Sequence, residues 1–460
     1  MMKKILVFIS VMSISAALNA QTFTISPANP VLQGDKMAIA LKGLDANARV
    51  TISAERAQPV WGTDKKIIYR SHALFIASAA GEIDLSTSAA TPRSGTYQGS
   101  DIRGLFWSMM PTKTEAAKDA NTDVVIVTAS VGDTKVAAAT IEFTQYAPQL
   151  AIEKLDKFPG AIFVSLPNQP TTKRAAVIVL GGSEGGNEMV NDATKRIASQ
   201  GFAAMSLPYY SPKSWPTMKQ EVPELPLNFV DIDIGRIDQA RNYLRTRLDV
   251  DGERIAIYGI SKGAEYVLLA ATSFPWVKSV VAVVPTDVVW EGWGDGIAAN
   301  ERSSFALKGK PFAFTPYQNI AEELMGFQTG ADVRLRRPQD KGRAANPARA
   351  VAARIPIERY RGALMIIGGQ DDQVWNSGMM SHNLAERRFE RSKSTKGIGE
   401  TVSLIYSDAG HYLSGNGYSP TTEYNAAPSK SGGTPEGNAK AQGDAWTKTI
   451  LFLKKTLAVK

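Results

Sequence analysis

Residues 254–263 read RIAIYGISKG, and the interpretation of the rest of the chain depends on this stretch. Arg254 to Tyr258 has the length and apolar content of a buried strand, and Ala264 to Thr272 has the composition of a helix. Between them lies Gly-x-Ser-x-Gly, a pattern typical of a nucleophile elbow, in which a sharp turn exposes the serine oxygen. The stretch therefore indicates an α/β-hydrolase fold with Ser261 as its nucleophile.

A second segment, residues 181–185, fits the same pattern and also follows an apolar strand. The nucleophile of an α/β hydrolase comes after several strands have been formed. In this half of the chain, only one short strand candidate, Ala161 to Ser165, precedes the strand that leads to Ser183. That candidate and two stronger strands precede the strand that leads to Ser261. Position therefore favours Ser261 over Ser183.

The glycine-rich loop of residues 181–186 then has a different expected role. Acyl transfer needs backbone N–H groups directed at the oxyanion, and one of them comes from a loop that follows an earlier strand. We expect the N–H of Lys262, and one from the region of Gly182 and Ser183, to form this oxyanion hole. The alternative for the loop is a tight turn without a catalytic part.

The composition of the chain changes near residue 150. Residues 21–148 contain short alternating runs separated by turn residues, which predicts an all-β, immunoglobulin-like sandwich domain. Residues 149–460 alternate apolar runs with helical patterns, which predicts a mostly parallel sheet covered on both faces. Residues 286–350 interrupt this alternation and are expected to form an insertion over the carboxyl edge of the sheet. Residues 414–443, rich in Gly, Ser, Asn and Pro, are expected to form a loop.

Three histidines are available as the general base that a serine nucleophile requires: His72, His382 and His411. His72 precedes the nucleophile in the chain, and His382 lies within a helical pattern. His411 follows the last predicted strand, which is where the histidine belongs in the chain order serine, acid, histidine. His411 is therefore the predicted base.

The acid is expected on a loop that follows a strand between the nucleophile and His411. Asp371 and Asp372 follow the predicted strand at residues 364–367. A carboxylate there would orient the imidazole and stabilise its charged form. Spacing alone does not choose between the two. Asp408 is a rival, although its closeness to His411 favours a role in a turn.

The composition narrows the classes of function. The chain has 460 residues, a net charge of +8 and no cysteine, and its Lys and Arg residues are spread along the sequence. Spread-out charge does not favour nucleic-acid binding, and the lack of cysteine excludes a disulfide framework and a cysteine nucleophile. Three histidines do not favour a multi-histidine metal site. The predicted chemistry requires no metal and no cofactor.

The first twenty residues have the pattern of a secretory signal peptide. Lys3 and Lys4 form a positive region, residues 5–18 are mostly apolar, and Ala20 offers a small residue before a cut at Gln21. The apolar stretch is short for a membrane span. We therefore expect an exported chain, periplasmic or secreted, without a membrane span after cleavage.

Short motifs from both halves of the chain occur together in one known family. They are, in chain order, Gly43-Leu44, Tyr69-Arg70-Ser71, residues 80–85 (AGEIDL), residues 104–109 (GLFWSM), residues 259–263, residues 369–372 (GQDD), Gly410-His411, residues 432–435 (GGTP) and residues 444–446 (DAW). In these motifs and their order, the chain resembles the acyl-CoA thioesterase and bile acid-CoA:amino acid N-acyltransferase (BAAT) family over nearly the whole mature chain.

The resemblance implies a triad of Ser261, Asp372 and His411, and it chooses Asp372 over Asp371. Members that conjugate amino acids use cysteine as nucleophile, so the serine here resembles the thioesterase branch. The implied reaction is hydrolysis of a small-molecule acyl thioester or ester. The signal peptide departs from the family pattern, because its well-known members act inside cells. Three alternatives stay open: an extracytoplasmic carboxylesterase or peptidase, an acyltransferase, and a non-catalytic binding protein with a relic triad.

Overall fold

The computed structural model describes residues 20–32, 34–60, 63–116, 124–167, 173–214 and 217–458. The signal peptide predicted over residues 1–20 lies, except for Ala20, outside these ranges, so its cleavage stays a prediction. Across the ranges that are described, no helix combines the length and the apolar content that crossing a bilayer would require.

The strands follow one another along the whole chain. In chain order they are β1 (Thr22–Ser26), β2 (Val31–Leu32), β3 (Ala38–Lys42), β4 (Arg49–Pro59), β5 (Lys65–Ile76), β6 (Ile83–Asp84), β7 (Met110–Ala116), β8 (Val124–Val131), β9 (Thr134–Thr144), β10 (Ala151–Lys154), β11 (Ile162–Ser165), β12 (Arg174–Leu180), β13 (Ala203–Ser206), β14 (Lys213–Ser214), β15 (Lys219–Gln220), β16 (Ile232–Asp233), β17 (Val250–Ile260), β18 (Ser279–Val283), β19 (Phe305–Leu307), β20 (Lys310–Pro311), β21 (Ala363–Gly369) and β22 (Thr401–Tyr406).

Most helices fall in the second half of the chain. They are α1 (Gly104–Trp107), α2 (Glu188–Ala198), α3 (Arg236–Thr246), α4 (Lys262–Ser273), α5 (Ile320–Leu324), α6 (Gly326–Thr329), α7 (Arg336–Ala345), α8 (Pro347–Ala352), α9 (Ser377–Ser394) and α10 (Pro435–Thr456), with a 3₁₀ turn at Ile357–Arg359. This distribution agrees with the change in composition near residue 150.

The N-terminal half consists of two sheets around one core. A six-stranded sheet has the order β2-β9-β8-β4-β5-β7, and a three-stranded sheet has the order β1-β3-β6. In β4 the side chains of Val50, Ile52 and Ala54 are buried while their neighbours are partly exposed, as expected for a strand with one face in the core. Ile39 and Leu41 of β3 join the same core. The short helix α1 departs from the all-β prediction, and the immunoglobulin-like topology stays a prediction.

The C-terminal half contains an eight-stranded sheet in the order β10-β11-β13-β12-β17-β18-β21-β22. β11 pairs antiparallel with both of its neighbours, and every pairing from β13 to β22 is parallel. Neighbouring residues on a central strand join different cores: Ile257 belongs to one apolar cluster and Ala256 to the other. The sheet is therefore buried on both faces, which confirms the predicted α/β-hydrolase fold.

Helices cover the two faces of this sheet and leave its carboxyl edge to loops. α2 and α10 pack on one face, and α3, α4 and α9 pack on the other. β17 lies between β12 and β18, so the turn that follows it opens near the middle of the edge. Because parallel strands end at the same edge, the loops after β12, β17, β21 and β22 meet there.

Residues 414–443 form a loop only in part, and their last third belongs to a helix. α10 starts inside this range, and the side chain of Thr434 caps it by accepting the N–H of Gly437 at 2.9 Å. Glycines within the helix weaken its sequence pattern. Packing compensates, because Ala439 joins the core of the N-terminal half and Ala441 joins a core of the α/β half.

The two halves share an interface built around residues 418–422. The ring of Tyr418 lies 5.4 Å from that of Phe106 and 6.0 Å from that of Phe143, measured between centroids. Thr422 Oγ1 donates to the backbone oxygen of Met109 at 2.6 Å. The motif of residues 104–109 therefore contributes to this interface, not to the edge of the sheet where the predicted catalytic residues lie.

The segment 286–350 reaches the loops at the carboxyl edge of the sheet. Val333 forms a bridge with Ser429, in the loop between β22 and α10. The N–H of Arg336 donates to the backbone oxygen of Gln373, in the loop after β21, at 3.0 Å. These contacts lie where the sequence predicts an insertion.

A buried ion pair joins α4 to this segment. Lys262 Nζ lies 2.6 Å from Glu265 Oε2 and donates to Ser304 Oγ at 2.8 Å, while Glu265 Oε1 accepts the N–H of Trp290 at 3.1 Å. Burial lowers the pKa of Lys262 and raises the pKa of Glu265, and each charge opposes the shift of its partner. Three aromatic rings have centroids 5.1 to 5.6 Å from the ammonium: Phe229, Trp293 and Phe305.

Breaking this ion pair should destabilise the fold. We expect Glu265→Ala to lower the free energy of unfolding by about 3 kcal/mol, because it leaves the Lys262 ammonium buried without its partner. The double variant Lys262→Met/Glu265→Leu removes both charges and should recover most of that loss. Urea unfolding followed by circular dichroism measures both changes. A double variant no more stable than Glu265→Ala would show that charge pairing is not the source of the stability.

Candidate active site

Ser261 occupies the sharp turn between β17, which ends at Ile260, and α4, which begins at Lys262. Its backbone has a φ of 55° and a ψ of −118°. Non-glycine residues adopt such conformations at a cost of about 1–3 kcal/mol. The flanking glycines permit the turn, since a Cβ on Gly259 would lie 2.2 Å from the backbone oxygen of Gly263. The turn holds the serine side chain at the end of the central strand.

The same crowding fixes the glycine-rich loop beside Ser261. A Cβ on Gly263 would lie 2.2 Å from the backbone oxygen of Gly181, so the loop after β12 packs directly against the start of α4. A Cβ on Gly182 would lie 3.2 Å from Ser261 Cβ. The two segments that fit Gly-x-Ser-x-Gly are therefore neighbours, with Ser183 exposed at the surface.

His411 lies between Ser261 and Asp372 and bonds to both. His411 Nε2 lies 3.0 Å from Ser261 Oγ, and His411 Nδ1 lies 2.9 Å from Asp372 Oδ2. Asp372 is fully buried, and Ser261 and His411 are nearly so. The ring of Trp375 meets the imidazole at a steep angle, with 5.5 Å between centroids. The structure thus brings together three residues with the geometry of a Ser-His-Asp triad.

Asp372 and Asp371 have different surroundings. Asp372 Oδ1 accepts two backbone N–H groups, of which that of Val374 is nearer at 2.9 Å, and these bonds hold the carboxylate in place. Asp371 Oδ2 instead accepts the N–H of Gly433 at 2.9 Å. Asp408 is exposed, and among the described residues it makes no bond to the imidazole. Asp371 and Asp408 therefore act as loop residues here.

The loop after β22 carries His411 and is held by α10. The N–H of Gly410 donates to Asn438 Oδ1 at 2.8 Å, so the first turns of α10 position the residue next to the imidazole. The two other histidines lie elsewhere. His72 is exposed on β5, and His382 is exposed on α9.

Two of the three predicted oxyanion donors, Lys262 and Ser183, have backbone N–H groups that bond to no other group of the described chain. Lys262 is the first residue of α4, where an N–H has no partner within the helix. Gly182 differs from them, because its N–H donates to Glu184 Oε1 at 2.8 Å. In this conformation the N–H of Gly182 is therefore occupied.

Glu184 is a part of the site that the Gly-x-Ser-x-Gly pattern does not reveal. The residue as a whole is exposed, but protein atoms crowd its carboxyl group. This burial raises its pKa, while backbone N–H groups and the nearby His411 act to lower it. An acidic residue inside a glycine-rich loop is the sequence signal that could have found it, because carboxylates bond strongly to backbone N–H groups.

The groups at this edge of the sheet suit one kind of chemistry. They are a serine hydroxyl, an imidazole that can take its proton, a carboxylate bonded to the imidazole, and backbone N–H groups that can bind an oxyanion. Together they fit acyl transfer from an ester, a thioester or an amide. Within the described ranges, no three His, Asp or Glu side chains lie close enough together to hold a metal ion.

Three family models match parts of the chain. The model described as "BAAT / Acyl-CoA thioester hydrolase C terminal" matches residues 232–459, and "Acyl-CoA thioester hydrolase/BAAT N-terminal region" matches residues 34–155. The dienelactone hydrolase family matches residues 161–294. Among solved structures, a puromycin-hydrolyzing peptidase of Mycobacterium tuberculosis is 13% identical, with a TM-score of 0.41, and the match covers 92% of this chain and 59% of that one.

Curated relatives are similar over 95% of this chain, which includes most of both halves. Acyl-coenzyme A thioesterase 1 of Mus musculus is 25% identical over 452 residues, which cover 95% of this chain and 97% of the relative. The mitochondrial acyl-coenzyme A thioesterase 2 of Homo sapiens is 24% identical, and the match covers 95% and 85% of the two chains. The peroxisomal succinyl-coenzyme A thioesterase of Mus musculus is 23% identical, with 95% and 97% covered. The two domain models, matched in order, and the curated relatives support the BAAT/acyl-CoA thioesterase family, and the chain is an acyl-CoA thioesterase-like hydrolase.

Proposed function

We propose that this chain hydrolyses an acyl thioester or ester through a covalent acyl-enzyme, with Ser261 as nucleophile, His411 as base and Asp372 as the orienting acid. The observation that carries this proposal is the hydrogen-bonded line from Asp372 Oδ2 through the imidazole to Ser261 Oγ, with distances of 2.9 and 3.0 Å. Relatives named acyl-CoA thioesterases support a thioester as the substrate.

In the proposed reaction Ser261 Oγ attacks the acyl carbon while His411 Nε2 takes the hydroxyl proton. The tetrahedral intermediate collapses by breaking the bond from the acyl carbon to the thiol sulfur or alcohol oxygen. The leaving group then takes the proton from His411. Water attacks the acyl-enzyme in the same way, the carboxylic acid departs, and Ser261 regains its proton. Asp372 remains ionised throughout and stabilises the imidazolium.

Backbone N–H groups stabilise the negative charge of the tetrahedral intermediate. We assign this role to Lys262 and Ser183, because neither N–H has a partner in the described chain and both lie in segments packed beside the nucleophile. Glu184 is then a positioning residue. Its carboxylate binds the N–H of Gly182 and so fixes the conformation of the loop that presents the N–H of Ser183.

The location of the enzyme is a separate part of the proposal. The signal-peptide pattern of residues 1–20 supports export. An exported enzyme would work apart from the cell interior in which acyl-CoA is made, so an extracytoplasmic ester or amide is the alternative substrate. An amine in place of water would make the reaction an acyl transfer. Turnover of an acyl-CoA, an aryl ester and a peptide, with and without added amine, separates these cases.

Removing the nucleophile should abolish both turnover and covalent labelling. We expect Ser261→Ala to lower kcat by about 10⁵-fold and to prevent labelling by a fluorophosphonate, because the acyl-enzyme cannot form. Ser183→Ala is the matched control: it alters the other Gly-x-Ser-x-Gly segment and should retain labelling. Mass spectrometry of the labelled protein locates the adduct. Undiminished labelling of Ser261→Ala would disprove the assignment.

The two adjacent aspartates give a second test. We expect Asp372→Asn to lower kcat by about 10⁴-fold, because the amide favours the wrong imidazole tautomer. Asp371→Asn makes the same chemical change one residue away and should stay within about threefold of the wild type, because Asp371 bonds to a backbone N–H outside the triad. Steady-state kinetics measures both, with unfolding temperatures as the check on folding. Similar losses in the two variants would contradict the assignment of Asp372.

Glu184 gives a third test, which addresses the oxyanion hole. We expect Glu184→Ala to lower kcat by about tenfold, because a loop that lacks its acceptor presents the N–H of Ser183 less rigidly. Glu184→Gln keeps an acceptor oxygen of the same shape and should retain most of the activity. Kinetics of both variants decides the point. Faster turnover by Glu184→Ala would show instead that the carboxylate obstructs the oxyanion site.

A further inference from the structure

Tyr209 lies in the loop after β13, beside the glycine-rich loop that adjoins Ser261. It is buried, with 4% of the residue exposed. Its hydroxyl donates to two consecutive backbone oxygens, that of Gly181 at 2.9 Å and that of Gly182 at 3.3 Å. One proton is therefore shared between two acceptors. Neither the triad nor the proton transfers of the proposed reaction use this hydroxyl.

The geometry of the peptide bond makes these two contacts a constraint on N–H groups. Both peptides of the loop are trans, so the C=O and the N–H of each point in opposite directions. The peptide between Gly181 and Gly182 is held at both ends. Its oxygen accepts from Tyr209, and its N–H donates to Glu184 Oε1 at 2.8 Å. The next peptide also has its oxygen on Tyr209, so its N–H, that of Ser183, points away from the tyrosine.

Two consecutive N–H groups that point the same way form a concavity that binds anions. The first of them, on Gly182, already bonds to a carboxylate oxygen of Glu184. The second, on Ser183, has no partner in the described chain. A Cβ on Gly182 would lie 3.2 Å from Ser261 Cβ, so the concavity is next to the reacting hydroxyl. The orientation that Tyr209 imposes on the loop is therefore the one that an oxyanion hole needs.

The ring of Tyr209 is held by aromatic residues that also surround the ammonium of Lys262. Its centroid lies 5.2 Å from that of Tyr266, 6.0 Å from that of Phe229 and 6.3 Å from that of Phe305. Phe229 and Phe305 have centroids 5.2 and 5.1 Å from Lys262 Nζ. One buried cluster therefore anchors both segments from which the proposed oxyanion donors come.

The hydroxyl of Tyr209 keeps its proton at neutral pH. Burial raises the pKa of Tyr209 well above its ordinary value, and the negative charges of Glu184 and Glu265 raise it further. A neutral hydroxyl donates to carbonyl oxygens, whereas a tyrosinate would repel them. The bonds to the glycine-rich loop are therefore maintained at every pH at which the triad can work.

We infer that Tyr209 is a positioning residue of the oxyanion hole: its hydroxyl holds the peptide that carries the N–H of Ser183, so that this N–H faces the oxyanion. The inference rests on the proposed function and adds to it a residue that lies outside the triad and outside the glycine-rich loop. Tyr209 acts through the peptide and not on the substrate. It holds the oxygen side of the loop, while Glu184 holds the N–H side.

Tyr209→Phe removes the hydroxyl and keeps the ring. We expect it to lower kcat by about tenfold and to leave KM within about twofold of the wild type, because an oxyanion donor contributes only in the transition state. The loss is smaller than the roughly 10²–10³-fold caused by removing a donor outright, since the N–H of Ser183 remains. Steady-state kinetics on an acyl thioester or ester that the wild type hydrolyses measures both constants.

Tyr266→Phe is the matched control for the loss of a buried hydrogen bond. The hydroxyl of Tyr266 donates to the backbone oxygen of Ile234 at 3.0 Å, and the residue is buried beside Tyr209. Both variants should lower the midpoint of urea unfolding by similar amounts, but Tyr266→Phe should keep kcat within about twofold. Tyr210→Phe makes the same change one residue along, where the hydroxyl bonds to Trp293, and should also keep kcat within about twofold.

Two ketones with the acyl chain of the substrate test the oxyanion directly. A trifluoromethyl ketone adds to a serine hydroxyl and forms a hemiketal oxyanion, whereas the matching methyl ketone resembles the uncharged substrate. We expect Tyr209→Phe to weaken inhibition by the trifluoromethyl ketone about tenfold and to change inhibition by the methyl ketone less than about twofold, because only the first resembles the transition state.

The failure of this inference and the failure of the proposed function are distinguishable. A wild type that hydrolyses no ester or thioester and takes no fluorophosphonate at Ser261 contradicts the proposed function, and the inference falls with it. With an active wild type, three results overturn the inference alone: a kcat of Tyr209→Phe within about twofold of the wild type, a loss that lies in KM, or an equal loss in Tyr266→Phe. Equal weakening of the two ketones overturns it as well.

Discussion

The crowded turn at Ser261 is the constraint on which the rest of the site depends. Gly259 and Gly263 leave no room for side chains, and Gly263 lies against Gly181, so the end of β17, the start of α4 and the loop after β12 form one packed unit. The positive φ of Ser261 is unfavourable on its own. It persists because β17 is hydrogen-bonded to a strand on each side and is buried on both faces.

Two adjacent residues at this turn, Ser261 and Lys262, connect to different buried charged groups. Ser261 bonds to His411, and His411 bonds to Asp372, a pair that takes the hydroxyl proton in the proposed mechanism. The side chain of Lys262 instead pairs with Glu265 and bonds to Ser304 in the segment 286–350. Its N–H remains available to an oxyanion while its side chain anchors the segment that reaches the carboxyl edge. Lys262 therefore has two parts to play: its N–H belongs to the proposed oxyanion hole, and its side chain holds the segment 286–350 against α4.

Local signals in the sequence predict the central sheet and point to Ser261 and His411: apolar strands, a glycine-flanked serine, and few histidines in a fixed chain order. They leave Asp371 and Asp372 undecided, and only the family resemblance chooses Asp372. The start of α10 could not be predicted, because its glycines hide the helical pattern and its stability comes from packing against both halves. The bond from Gly182 to Glu184 was also missed, since it depends on a side-chain conformation. The partner of Lys262 was equally hidden, because i,i+3 spacing is common in helices and only burial distinguishes this pair.

The segment between His411 and α10 belongs to both cores. Tyr418 packs among the aromatic residues of the N-terminal half, while Gly410 is held by Asn438 of α10. The imidazole therefore takes its position partly from a sheet that contributes no triad residue. If the chain were divided near residue 150, the C-terminal half would lack contacts that help to hold His411. The N-terminal half is therefore not dispensable for the site. The two halves therefore depend on each other for structure, and the two domain models that match this chain fall one on each half.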